Sequence, residues 1–208
     1  MTCCSNKKEK DLNFKNLKIK TSNITTLEFK IVLLGDLSVG KSSIANRYIK
    51  GNFSNKYIAT IGGSFYAKNI KLKNNELIKL HIWDTGGSER FKSISNIYYR
   101  NADGALLIYD VTNEDSLFNL NYWIKELKSK VNNLVIAIVG NKIDVNDNLR
   151  VVSFIKSLEF AKNNNIDICK EISAKNGFGV DDIFYEVALK IFENKKNNEE
   201  NIEYDNDF

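Results

Sequence analysis

Gly35-Asp36-Leu37-Ser38-Val39-Gly40-Lys41-Ser42 has the spacing G-x-x-x-x-G-K-[ST] of a phosphate-binding loop. Its glycines let backbone N–H groups of Asp36, Leu37, Ser38, Val39, Gly40 and Ser43 turn toward a polyphosphate, and Lys41 can reach the β- and γ-phosphates. The Ser42 hydroxyl is placed to bind Mg²⁺. Asn141-Lys142-Ile143-Asp144 points to the base. The Asp144 carboxylate can accept from both N1–H and the exocyclic amine of guanine. Adenine would leave that charge unpaired, which discriminates by roughly 10⁴-fold. Lys142 can lay its aliphatic stem over the base, Asn141 can tie neighbouring loops, and in Ser173-Ala174-Lys175 the Ala174 N–H can donate to guanine O6. In Trp83-Asp84-Thr85-Gly86-Gly87, Asp84 can hold Mg²⁺ through water and Gly87 can offer an N–H to a γ-phosphate. Thr60 can complete the Mg²⁺ shell while that phosphate is present.

These residues need strand ends and helix starts to position them. The apolar run Phe29–Leu34 reads as a buried strand and Ser43–Lys50 as the helix whose positive dipole end faces the anion. Strands are expected near 28–34, 65–73, 77–83, 104–110, 134–140 and 167–172. Helices are expected near 41–50, 90–99, 116–130, 153–163 and 181–193. Leu117, Leu120, Trp123, Ile124 and Leu127 keep a helical period, as do Ile183, Phe184, Val187, Ala188 and Ile191. Alternating strands and helices predict a doubly wound α/β fold: a six-stranded, mostly parallel sheet with helices on both faces and the ligand at the carboxyl ends of the strands. Strands 65–73 and 77–83 are separated by little more than Asn74 and Asn75, which implies a hairpin and one antiparallel edge pair.

The 208 residues, 43% apolar and 27% charged, suit one globular domain. There is no 18-residue apolar run and no basic–apolar leader pattern. Three cysteines, two of them adjacent, do not make a disulfide framework. Cys169 reads as a small core residue, and the lone His81 has no Cys or His neighbours for a metal site. Before Glu28, six lysines face two acids, a net +4; from Glu193 onward, two lysines face six acids, a net −4. Residues 1–27 are therefore expected to be a disordered basic extension, 28–193 the folded domain, and 194–208 a disordered acidic tail.

Taken together, these segments resemble a Ras-like small GTPase, and among those a Rab protein, over about Glu28 to Phe192. Lys79–Thr85, Glu89-Arg90-Phe91-Lys92-Ser93-Ile94, Tyr98-Tyr99-Arg100-Asn101-Ala102 and Tyr109-Asp110-Val111-Thr112 are similar to Rab segments in and around switch II. Ile61–Phe65 with Lys50-Gly51-Asn52-Phe53 is most similar to the early-endosomal branch. The resemblance implies a P-loop GTPase domain that binds GTP or GDP with Mg²⁺. It implies that Phe53 stacks against the base, that Lys41, Thr60, Gly87 and Ser88 act on the terminal phosphate, and that Phe65, Trp83 and Tyr98 form a surface read by effectors. Partners would be an exchange factor, a GAP and effector proteins. No nucleic acid is expected, and the protein is expected to act as a monomer on the cytoplasmic face of an endosomal or vesicular membrane and in the cytosol. Two departures bear on chemistry. Ser88 stands where the family usually has a water-orienting Gln, and Leu37 where it usually has a small residue. Slow hydrolysis follows, or, as the alternative, a non-cycling GTP-bound scaffold; a P-loop ATPase is opposed by Asp144. The usual prenylated carboxyl-terminal cysteines are missing from this sequence. Cys3 and Cys4, beside the basic stretch, are the expected lipidation sites, and Thr2 does not fit the myristoylation pattern.

Overall fold

The computed structural model describes residues 26–56, 60, 62–86 and 98–205, with side chains described as far as residue 198. The expected lipidation sites Cys3 and Cys4, residues 90–97 of the helix expected at 90–99, and Gly87 and Ser88 lie outside the described residues. Six strands form one sheet in the order β2-β3-β1-β4-β5-β6. They are β1 (Leu27–Leu34), β2 (Gly63–Lys71), β3 (Leu77–Thr85), β4 (Gly104–Asp110), β5 (Val135–Asn141) and β6 (Ile168–Glu171). All pairs are parallel except β2 with β3, as the short hairpin link required. That turn is closed by Asn75 N–H donating to Leu72 O at 2.9 Å, with Asn75 in the left-handed region at φ 69°.

The central strands read as apolar runs because both faces are covered. Phe29, Ile31 and Leu33 pack into the core layer holding Ile44, Tyr48, Phe184 and Val187; the alternate residues Val32 and Leu34 pack with Leu107, Leu117, Trp123 and Phe160. The first layer belongs to helices α1 (Lys41–Lys50) and α5 (Val180–Asp205), the second to α2 (Glu114–Phe118), α3 (Leu120–Lys130) and α4 (Phe154–Asn163).

Two helices depart from expectation. The single helix expected at 116–130 is divided at Asn119. Its first turn is tied back to β4: Ser116 Oγ accepts from Asp110 N–H at 3.0 Å, and Asn113 caps Ser116 N–H. The last helix runs past its expected end at 193 to Asp205, so the backbone over 194–205 is helical. The apolar period stops at Ile191, but no Pro or Gly follows to stop the helix.

A candidate nucleotide-binding site

The described residues of the motifs come together at the carboxyl ends of β1, β3, β5 and β6. Between β1 and α1 the backbone turns through Gly35 (φ 139°), Ser38 (φ 63°) and Gly40 (φ 101°). A Cβ on Gly35 would lie 2.2 Å from Ile108 O, and one on Gly40 2.3 Å from Asn141 Nδ2, so both positions demand glycine by conformation and by space. The first turn of α1 carries no acidic residue, leaving its positive end free for an anion. Lys41 Nζ donates to Gly35 O at 2.8 Å and Asp36 O at 2.6 Å, inside the cradle. Burial lowers its pKa to about 8, against the opposing pull of Asp84 and Asp36. A polyphosphate would supply the counter-charge this buried ammonium needs.

Ser42 Oγ and Thr60 Oγ1 are hydrogen-bonded to each other at 2.8 Å. Asp84, 1% exposed, lies at the same place, and its Oδ1 has no hydrogen-bond partner among the described residues. Burial raises its pKa, opposed by the Ser42 hydroxyl and the Lys41 charge. An orphaned buried carboxylate oxygen beside two hydroxyls is a fitting donor set for Mg²⁺, which takes one or two carboxylates and completes its shell with phosphate and water. Thr85 Oγ1 fixes this end of β3 by donating to Leu33 O at 2.8 Å.

At the base end, Asn141 Nδ2 donates to Val39 O at 2.9 Å and ties the phosphate loop to β5. Ser173 Oγ donates to Asp144 Oδ1 at 2.6 Å, and Lys175 Nζ lies 3.3 Å from Asp144 Oδ2. Burial alone would raise the Asp144 carboxyl; the hydrogen bonds from Ser173 and Lys175 outweigh it and hold the pKa below 3.8. The carboxylate expected to face guanine is thus held in place by two partners. The Ala174 N–H donates to Asn141 Oδ1 at 3.0 Å, so any donation to guanine O6 would be shared. A pocket of about 530 Å³ runs from Leu37, Ser38, Gly40, Lys41, Ser42, Ser43 and Thr60 to Phe53, Asn141, Lys142, Asp144, Ala174 and Lys175. Of the other expected ligands, Ser173 and Asp84 brace the site from beneath and Val39 is a core side chain. The Asp36 side chain turns away to accept from Asn119 Nδ2 at 2.7 Å.

The motifs did not reveal Arg47. From α1 its guanidinium donates to Ala174 O (2.8 Å), Gly51 O (2.6 Å) and Lys175 O, bracing the base loop against the segment leading to Phe53. Only its place one helical turn beyond the loop hints at this in the sequence.

Beside the site, Phe65 and Trp83 pack edge to face at 5.2 Å and Trp83 and Tyr98 at 6.1 Å. Phe65 is 52% exposed, whereas the neighbouring Tyr99 is 1% exposed. Trp83 and Tyr98 are half-buried against the core, so of the three only Phe65 is well exposed.

A glycine-rich loop between β1 and α1, a buried Asp at the end of β3, and base-facing loops after β5 and β6 together define the P-loop GTPase fold. A sequence model of the Ras family matches residues 30–193. The chain is 43% identical over 197 residues to Ras-related protein Rab-5B of Plasmodium falciparum (isolate 3D7), covering 91% of this chain and 93% of that protein. It is 39% identical over 198 residues to GTP-binding protein YPT52 of Saccharomyces cerevisiae, covering 82% and 84%, and 40% identical over 170 residues to GTP-binding protein ypt5 of Schizosaccharomyces pombe, covering 81% and 80%. The chain belongs to the Ras family, and within it to the Rab GTPases of the early-endosomal branch.

Proposed function

We propose that the protein is a guanine-nucleotide switch of Rab type that regulates endosomal vesicle traffic, with slow GTP hydrolysis. The observation that carries the nucleotide reading is Asp144, held ionised by Ser173 and Lys175 at one end of the pocket whose other end is the Lys41 cradle. GTP and Mg²⁺ would draw Thr60 and Gly87 together, and GDP would release them. The Phe65–Trp83–Tyr98 run is the surface we assign to effectors, since exposed aromatics are favoured interface anchors. An exchange factor and a GAP would set the cycle. Slow hydrolysis rests on Ser88, too short to orient the attacking water, and on Leu37, 51% exposed at the pocket mouth, where it would crowd the γ-phosphate and an incoming arginine finger. The same Leu37 favours the second reading, a GTP-bound scaffold that does not cycle.

Displacement of a fluorescent GDP tests the nucleotide reading. GTP should compete at concentrations where ATP does not; equal competition by ATP would refute it.

Membrane attachment is assigned to Cys3 and Cys4, where two acyl chains, or one chain with the six nearby lysines, would suffice. Changing both cysteines to Ser should move the protein from membranes to the soluble fraction. Retention at the parental level would place the anchor elsewhere.

A further inference from the structure

The segment Tyr109-Asp110-Val111-Thr112 has no part in the nucleotide contacts described so far, yet it ends in a buried carboxylate with an unusual set of partners. Asp110 is the last residue of β4, in register with Asn141 of β5, and is 8% exposed. One carboxylate oxygen, Oδ1, accepts from the Thr112 N–H at 2.9 Å and the Thr112 hydroxyl at 2.7 Å. The other, Oδ2, takes the ammonium of Lys142. Lys142 stands in the left-handed backbone region at φ 73°, where a residue other than glycine is strained and persists only when its surroundings hold it. The main chain around it is held too: Val111 N–H donates to Asn141 O at 3.1 Å, and Val145 N–H to Lys142 O at 3.2 Å. With its ammonium fixed at Asp110, Lys142 is a held side chain at the pocket, rather than a free lysine that must lose rotamer entropy when a base arrives.

We propose that Asp110, supported by Thr112, is a positioning residue for guanine: it anchors the Lys142 ammonium so that the lysine stem forms a preformed wall for the base. This rests on the guanine-binding reading above and adds a residue to it that touches no ligand. Asp110 acts only through Lys142, which separates it from residues that merely stabilise the fold.

The test is release of fluorescent GDP from the full chain. Asp110→Asn keeps an acceptor for Thr112 and removes the charge; it should speed release about tenfold, the scale of one hydrogen bond to a charged group. Lys142→Met keeps the stem and removes the ammonium. In the Lys142→Met background, adding Asp110→Asn should change release by less than about twofold, because contacting partners are not additive. Thr112→Val, which removes the hydroxyl and keeps the shape, should speed release in the same direction and serves if Asp110→Asn does not fold. Parental release rates in Asp110→Asn or in Thr112→Val, or equal acceleration with and without Lys142, would overturn the proposal. Failure of the parent to bind the fluorescent GDP at all would instead overturn the guanine reading.

Discussion

Asp144→Ala abolishes guanine selectivity. In the displacement assay, GTP should lose about 10²–10⁴-fold in affinity, because two hydrogen bonds to a charged acceptor contribute about 1.5–3 kcal/mol each. ATP, which never used Asp144, should bind as weakly as before, so the two nucleotides converge. The change also frees Ser173 and Lys175 from the carboxylate they hold, which loosens the base loop without opening the core. The Asp144 carboxyl titrates below its ordinary value, so the parental selectivity should persist unchanged from pH 8 down to pH 5. Protonation would remove it only below that carboxyl's own pKa. Retained selectivity in Asp144→Ala would mean that another group reads the base.

The second large effect concerns hydrolysis. Ser88→Gln would supply a side chain long enough to orient water, and Leu37→Gly would clear the pocket mouth. The double variant should hydrolyse bound GTP about 100-fold faster than the parent in single turnover, the lower end of the range of about 10²–10⁴ that a positioned proton-transfer group can give. Ser88→Gln alone should recover only part of this, because Leu37 still crowds the γ-phosphate. A GAP that brings its own Gln should act well on Leu37→Gly and poorly on the parent. If the parent already matches the double variant, some other group positions the water.

Much of this site could be seen in the sequence because each motif is contiguous and its spacing is set by the ligand. The phosphate loop is one uninterrupted turn around an anion, and Asn141, Lys142 and Asp144 extend from the end of one strand. The bracing contacts were hidden because they join residues far apart in the chain. Arg47 meets Ala174, and Asp110 meets Lys142, only once β4 and β5 are in register and α1 has folded over the sheet. The short separation of β2 and β3 foretold the antiparallel pair, since two or three residues cannot cross over a sheet. The division at Asn119 escaped notice because the apolar period runs straight through it and Asn119 keeps helical dihedrals, φ −64° and ψ −16°. The extension of α5 escaped it for the opposite reason: the apolar period ends while the backbone has no cause to stop.

The claim at the centre of this account is that the pocket is a switch. Amide hydrogen exchange around Thr60, compared in the protein loaded with GDP and with a non-hydrolysable GTP analogue plus Mg²⁺, tests it most directly. Strong added protection with the analogue is the predicted result, because the γ-phosphate and the cation would lock Thr60 in its place beside Ser42 and Asp84. The same exchange rates with either nucleotide would contradict it.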